Sequence, residues 1–406
     1  MGYIDLKYRP TENDMVCSFY LEPSAGVTLT KAAEDVAAES SIGTWTEVAT
    51  MSDRIKKMGA KVFSIRKNTV KVAYPEELFE KGNLSQILSS VAGNIFGMKA
   101  IKNLRLLDID FNEGIAKSFK GPEIGLEDVR KITGIYNRPL LGTIFKPKLG
   151  LTPKEMEKQA HIVYSNGIDW AKDDENLASM RFNKFEERVQ RMLGVVDRIY
   201  SEEGRRVIYA PNTTGPVDDM IKRAELVRSL GGRCIMVDVL TVGWSALQYL
   251  RKQNLGRIVH GHRAMHAALT RNRKHGVSMM VLAKCSRLVG VSALHTGTIF
   301  GKMEGDREDV SELNKFLKSD FYGMKKVMPI ASGGLHPGLV PNLYNALGKD
   351  VIINFGGGLW GHPQGSAAGA KAIRQSLDAA LKGVPLAKYA ESHEELKAAL
   401  KKWVQL

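Results

Sequence analysis

From about residue 138 onward the chain repeats one pattern: a short apolar run, a polar or glycine turn, then a stretch with apolar positions at helical spacing. The runs are Leu140–Phe145, Ile168–Ala171, Val207–Ala210, Cys234–Leu240, Arg257–His260, Ser292–His295, Val327–Ala331 and Val351–Phe355. Runs apolar on both faces read as strands buried on both sides, the signature of a parallel sheet covered by helices. Helical stretches follow most of them. Thr152-Pro153-Lys154-Glu155 is a capping box with proline at the first helical position, and Pro216–Leu230 carries Met220, Ala224 and Val227 on one face. Eight β-then-α units over about 250 residues match the arithmetic of a (β/α)₈ TIM barrel. A doubly wound open sheet is the rival, but its Gly-x-Gly-x-x-Gly turn is missing after the first run, which continues Lys146-Pro147-Lys148-Leu149-Gly150.

The first part of the chain is patterned differently. Val16–Glu22, Ala60–Ile65 and Val70–Tyr74 read as strands, Leu29–Glu39 and Leu84–Val91 as helices. The expected organisation is an α+β (ferredoxin-like) N-terminal domain over residues 1–125, then a barrel over 126–406 that ends in two helices. Ser392 and Glu395 are expected to open the last helix as a capping box.

Composition narrows the class. Of the 406 residues, 44% are hydrophobic and 25% charged, ordinary for a globular protein with a large core. Three distant cysteines (Cys17, Cys234, Cys285) exclude a disulfide scaffold and a zinc knuckle, and they suit a reducing cytoplasm. No run is long enough for a membrane span, and no signal peptide or myristoylation motif opens the chain. The first 125 residues carry equal numbers of acidic and basic side chains, so the whole net charge of +14 lies beyond them. It is dispersed, without the basic runs of a nucleic-acid tail, so surface solvation and an anionic small substrate rank ahead of nucleic acid.

A barrel builds its active site from the C-terminal ends of its strands. Here these ends supply Lys146 and Lys148 (first), Lys172-Asp173-Asp174-Glu175 (second), His260, His262, Arg263 and His266 (fifth), and His295 with Lys302 (sixth). The seventh and eighth supply Ser332-Gly333-Gly334 and Gly356-Gly357-Gly358. Each motif alone has a bland reading as a turn or a hydrogen-bonded core group, but six strand ends converging on one mouth change the odds. Gly297–Lys302 is one residue short of a P-loop, with Met303 where Ser or Thr is required, and is set aside. Asp174 and Glu175 offer hard oxygen ligands suited to Mg²⁺, while the absence of a nearby cysteine argues against zinc. Glycine turns direct backbone N–H groups at phosphate, and Arg263, His295 and Lys302 add cationic contacts. Two anion sites flanking a metal imply a bisphosphate or a phosphorylated sugar.

These motifs resemble the large subunit of ribulose-1,5-bisphosphate carboxylase/oxygenase (Rubisco). The segments are Leu141–Lys148, Gly167–Glu175, His260–His266, His295–Gly305 and Ser332–Gly334, together with Glu39–Trp45 and Gly93–Gly97 in the first domain. The resemblance implies that Lys172 adds an activating CO₂ to become a carbamate and holds Mg²⁺ with Asp174 and Glu175. Lys146, His262, Lys302 and Lys172 would be the catalytic residues. Substrate contacts would come from Lys148, Arg263, His295, Ser332, Gly333, Gly334, Gly356 and Gly357, and from Glu39, Thr44, Trp45 and Asn94. The implied substrates are ribulose 1,5-bisphosphate with CO₂, or O₂ in a side reaction.

In this family Glu39 and Asn94 belong to a neighbouring subunit's site, so a homodimer is expected, with higher oligomers of dimers open and no small subunit, nucleic acid or membrane partner. The wording is most similar to the archaeal form III group, which serves AMP salvage. The alternative is a Rubisco-like enolase or isomerase acting on a phosphorylated methylthio sugar. Two departures stand out: Phe145 where many members have a smaller residue, and Asn354 where glutamine is common.

Overall fold

The computed structural model describes residues 2–404 except 45, 47 and 301–306. The chain forms two compact units. The first comprises Met1–Gly121 with Gly243–Gln248 and Met265–Val289, the second Pro122–Val242, Tyr249–Ala264 and Gly290–Leu406.

In the first unit, strands Asp14–Pro23, Lys61–Arg66, Thr69–Pro75 and Ile101–Asp110 alternate with helices Leu29–Glu39 and Leu84–Val91 in the order β-α-β-β-α-β. The Asp14–Pro23 strand runs antiparallel between Thr69–Pro75 and Ile101–Asp110, while Lys61–Arg66 pairs with Thr69–Pro75 at one edge. This is the ferredoxin-like arrangement. At the other edge the two-residue strand Gly276–Val277 pairs in parallel with Ile101–Asp110. Both helices fall on the residues the periodicity predicts, because Ala33, Val36 and Ala37 on one and Ile87 and Val91 on the other are fully buried.

The second unit is the barrel. Its strands, in chain order, are Leu140–Ile144, Trp170–Lys172, Ile208–Ala210, Cys234–Asp238, Ile258–His262, Ala293–Gly297, Met328–Ser332 and Ile352–Phe355. All eight apolar runs become strands, and every neighbouring pair is parallel. The ring closes between the third and fourth strands, where Met236 N–H donates to Pro211 O at 2.8 Å and Thr213 N–H to Met236 O at 2.9 Å. Leu140, Trp170, Met236, Ala293 and Ile330 share the barrel interior with Leu126 and Val129 of the helix Leu126–Thr133. Burial on this scale, worth about 1.5–3 kcal/mol per large side chain, fixes strand register and therefore which residues reach the mouth.

Thr152 and Glu155 form the expected capping box, with Pro153 in the first turn. The box expected at Ser392 and Glu395 does not form: the helix spans Glu394–Trp403 with His393 as N-cap. A tertiary partner displaces it. Gln375 Nε2 donates to Glu395 at 2.8 Å, and Gln375 Oε1 accepts from Leu396 N–H at 3.0 Å, so one side chain from another helix satisfies both groups.

Candidate active site

The second strand ends at Lys172, and the three residues that follow leave it toward different partners. Asp173 turns away from the mouth. Its carboxylate accepts from Arg188 Nε at 3.1 Å, Tyr209 OH at 2.6 Å and Asn212 N–H at 2.9 Å, and both Asp173 and Arg188 are completely buried. Arg188 is pinned further by Asn183 Oδ1 at 2.7 Å and Ala178 O at 3.0 Å. Asp173 is thereby an anchor, and it holds its neighbours to the opposite side.

There, Lys172 Nζ donates to Asp173 O at 2.8 Å and to Glu175 Oε2 at 3.3 Å. Lys146 Nζ, from the end of the first strand, donates to Asp174 Oδ2 at 2.8 Å. Burial pushes the Lys172 amine below the usual lysine range, against the opposing pull of Glu175 and Asp174. Burial alone would raise both carboxyls. For Asp174, hydrogen bonds from Lys146 and Asn176 outweigh it; for Glu175, the charges of Lys172 and His262 do. Among the described residues no three His, Cys, Asp or Glu side chains are grouped to hold a metal. The two carboxylates instead flank a buried amine. An oxygen-bearing group on that nitrogen would complete a set of hard oxygen donors, which is the chemistry Mg²⁺ requires.

His260 and His262 share a face of the fifth strand. His262 Nδ1 lies 2.9 Å from Asp238 Oδ1 and its Nε2 lies 3.6 Å from Glu175 Oε2. Asp238 thus fixes which nitrogen faces the mouth. Behind it, His260 Nε2 lies 2.9 Å from His295 Nε2, and His295 Nδ1 lies 2.8 Å from Ser332 Oγ. Both ring nitrogens of His295 are therefore engaged within the protein. Arg263 makes no ion pair or hydrogen bond among the described residues, and burial draws its guanidinium down to about 10. It lies over Gly297, where a Cβ would come within 2.7 Å of Nη2 and where the φ of +93° favours glycine.

The glycine loops close the ring. Gly333 and Gly334 both have positive φ, and the backbone of Gly356 lies against Ile144 and Lys146, within 3.8 Å of Lys146 Cε for a Cβ placed there. Trp360 Nε1 donates to Ile144 O at 2.7 Å and to Thr143 Oγ1 at 3.1 Å, tying the last loop to the first strand. Phe145 is buried against Trp360, with ring centroids 5.8 Å apart. Asn354 is buried beside Gly142, its Oδ1 without a hydrogen-bond partner among the described residues.

The structure thus links Lys146, Lys172, Asp174, Glu175, His262, His295 and Ser332 through short contacts, with Gly356 beside Lys146. Arg263, Gly333, Gly334 and Gly357 stand at the same strand ends. Lys148 and Gly357 are exposed, and Lys148 has no polar partner among the described residues. Glu39, at the end of helix Leu29–Glu39, and the exposed Thr44 and Asn94 belong to the first unit. Trp45 and Lys302 lie outside the described residues. Sequence reasoning passed over Asp238 and the anchoring of Asp173. It also left His260 without a role, although two-residue alternation with His262 places it on the same face.

Two family models match the chain: the ribulose bisphosphate carboxylase large chain, catalytic domain, over residues 125–403, and the N-terminal domain of the same chain over residues 2–114. The chain belongs to the Rubisco large-chain family. Among its Rubisco relatives, the ribulose bisphosphate carboxylase of Pyrococcus abyssi is 48% identical over 409 residues, covering 99% of this chain and 96% of the relative. That of Methanosarcina barkeri is 45% identical over 423 residues, covering 99% of each. Among solved Rubisco structures, the octameric enzyme from Pyrococcus horikoshii OT3, in complex with sulfate ion, superposes with a TM-score of 0.95 at 47% identity, over 99% of this chain and 96% of that one. The dimeric archaeal Rubisco from Hyperthermus butylicus gives 0.92 at 42% identity, over 100% and 99%.

Proposed function

We propose that this chain carboxylates ribulose 1,5-bisphosphate to two molecules of 3-phosphoglycerate, with oxygenation as a side reaction. The observation that carries the reading is the buried Lys172 amine, set 3.3 Å from Glu175 and two residues before Asp174, the partner of Lys146. Burial favours its neutral form, which CO₂ requires. The new N–C bond releases a proton and leaves a carbamate.

Asp174, Glu175 and the Lys172 carbamate would hold Mg²⁺. When bound, the ion stabilises negative charge developing on the sugar oxygens. The carbamate oxygen would take the C3 proton, giving an enediolate. His262, oriented by Asp238, would move protons between the sugar hydroxyls. Lys302 would polarise the incoming CO₂ as the C2–C bond forms. Water adds at C3, the C2–C3 bond breaks, and Lys146 would protonate the resulting C2 carbanion.

Arg263 with His295 would hold one phosphate, and Ser332 and Gly333 would contact the substrate. Gly334, Gly356, Gly357, Thr44 and Trp45 would hold the other, with Lys148 nearby. Glu39 and Asn94 would come from a second copy, making a head-to-tail homodimer that works without a small subunit in the cytoplasm. Within the family the chain would fall in the archaeal form III group, fed by AMP breakdown. The domain division we adopt is 1–125 and 126–406.

Incubating the protein with CO₂ and Mg²⁺, then adding ribulose bisphosphate and labelled bicarbonate, should give labelled phosphoglycerate. Turnover of a methylthio ketose phosphate in the absence of that label would instead favour the Rubisco-like alternative.

A further inference from the structure

The third and fourth barrel strands, Ile208–Ala210 and Cys234–Asp238, meet only near the mouth, where Asn212 bridges to Met236. Toward their N-terminal ends they share no ladder. A cavity of about 500 Å³ occupies this end of the seam, within the roughly 300–1,000 Å³ of small-molecule sites. Residues 205–209 and 230–233, at the starts of the two strands, line it together with the helices Leu126–Thr133 and Phe185–Glu203. All of these belong to the second unit, and they stand at the end of the barrel opposite the mouth.

Its lining sets four positive charges, on Lys131, Arg205, Arg206 and Arg233, against one carboxylate, Asp197. Arg205 is engaged by Asp169 and Glu203. The exposed side chains of Lys131, Arg206 and Arg233 have no hydrogen-bond or ion-pair partner among the described residues. Arg257 lies beside them, since Ile258 N–H donates to Arg233 O at 3.0 Å. Burial draws its guanidinium below the usual arginine range, the charges of Arg233 and Arg228 add to this, and Glu123 opposes it. Its Nε is buried without a hydrogen-bond partner. Like charges gathered without counter-charges repel, and an anion seated among them relieves that repulsion. Part of the +14 excess that the mouth does not use is collected here. The remaining wall is apolar, with Leu193, Val207 and Ile208 buried in it. Tyr200 lines the cavity while 54% exposed, which leaves an aromatic face free for stacking.

We propose that this cavity is a second ligand site, for an organic phosphate with an aromatic body, the chemistry of a nucleotide. Its phosphates pair with Lys131, Arg206 and Arg233, and its ring stacks on Tyr200 against the apolar wall. The site is separate from the catalytic mouth, and its occupation does not depend on the carboxylation reading.

Calorimetric titration of the full-length assembled protein with ATP, inorganic triphosphate and adenosine, all without Mg²⁺, tests this. The proteins compared are wild type, R206Q/R233Q, Y200A and R263Q, with melting temperature as the check on folding. ATP should bind wild type, and uncharged adenosine should bind far more weakly. R206Q/R233Q should bind ATP at least about tenfold more weakly, through loss of two charge-assisted contacts. Y200A should lose about tenfold for ATP and keep its affinity for triphosphate, because only stacking is removed. R263Q, altered at the mouth, should keep the ATP site. Photolabelling with 8-azido-ATP should mark peptides spanning residues 193–206 or 231–233 in wild type and not in R206Q/R233Q. Absence of ATP binding to wild type would overturn the proposal. Binding that survives in R206Q/R233Q and disappears in R263Q would place the nucleotide at the mouth and overturn it too. Equal affinities for ATP and triphosphate, undisturbed in Y200A, would overturn the assignment to an aromatic phosphate.

Discussion

Lys146 Nζ and Asp174 Oδ2 face each other at 2.8 Å across the ends of the first and second barrel strands, the lysine one-third exposed and the aspartate almost wholly buried. This contact places a proton donor beside a residue of the proposed metal site. Burial alone would raise the Asp174 carboxyl, and the hydrogen bonds from Lys146 and Asn176 more than reverse that. The carboxylate therefore stays ionised to lower pH than an unpartnered buried acid would. In K146M the acid limb of Mg²⁺-dependent activation should move to higher pH, because Asp174 loses the partner that holds it ionised. Turnover should drop by at least about 100-fold with loss of the proton donor. Activation measured across pH checks both; an unmoved acid limb would contradict the pairing.

Lys172 should bind CO₂ more readily as pH rises. Its pKa is lowered by burial, so the neutral amine appears at lower pH than for an ordinary lysine, and carbamate formation should grow through that range. Carbon-13 NMR with labelled CO₂ should show one carbamate signal in wild type and none in K172R. A signal that persists in K172R would place the carbamate elsewhere.

The Asp173–Arg188 pair is the most deeply buried ion pair beside the site, with both side chains at 0% exposure. D173N leaves the guanidinium without its counter-charge and should cost about 3–5 kcal/mol of stability by denaturant titration. Activity should fall too, since the anchor that turns Asp174 toward the mouth is lost. A D173N variant as stable as wild type would show that the anchor is dispensable.

The barrel was legible because each strand is buried on both faces and so reads as a continuous apolar run. The strand Ile101–Asp110 escaped notice: its buried stretch, Leu104–Leu106, contains the buried Arg105, whose guanidinium donates to Thr270 O at 3.0 Å, so polar and apolar positions blur the two-residue pattern. Gly276–Val277 pairs over only two residues, too short for any periodicity to register. At the site, the types and order of the mouth residues were plain from the strand ends. Asp238 was hidden inside an apolar run, and only the fold brings it to His262. The displaced capping box at Ser392 failed for a related reason: Gln375 comes from a distant helix, and local sequence carries no sign of it.

Asp238 should matter through His262 alone. D238N keeps the shape but removes the carboxylate charge 2.9 Å from His262 Nδ1, so turnover should slow by about 10–100-fold. KM for ribulose bisphosphate should change much less. A change confined to KM would assign Asp238 to substrate binding instead.

The central claim is that this site joins CO₂ to ribulose bisphosphate through a carbamylated Lys172. The most direct measurement follows labelled CO₂ into product during a single turnover and compares wild type with K172A. One labelled phosphoglycerate for every ribulose bisphosphate consumed, with no label in K172A, is the result this account predicts. Consumption of the sugar without label, or equal labelling in K172A, would contradict it.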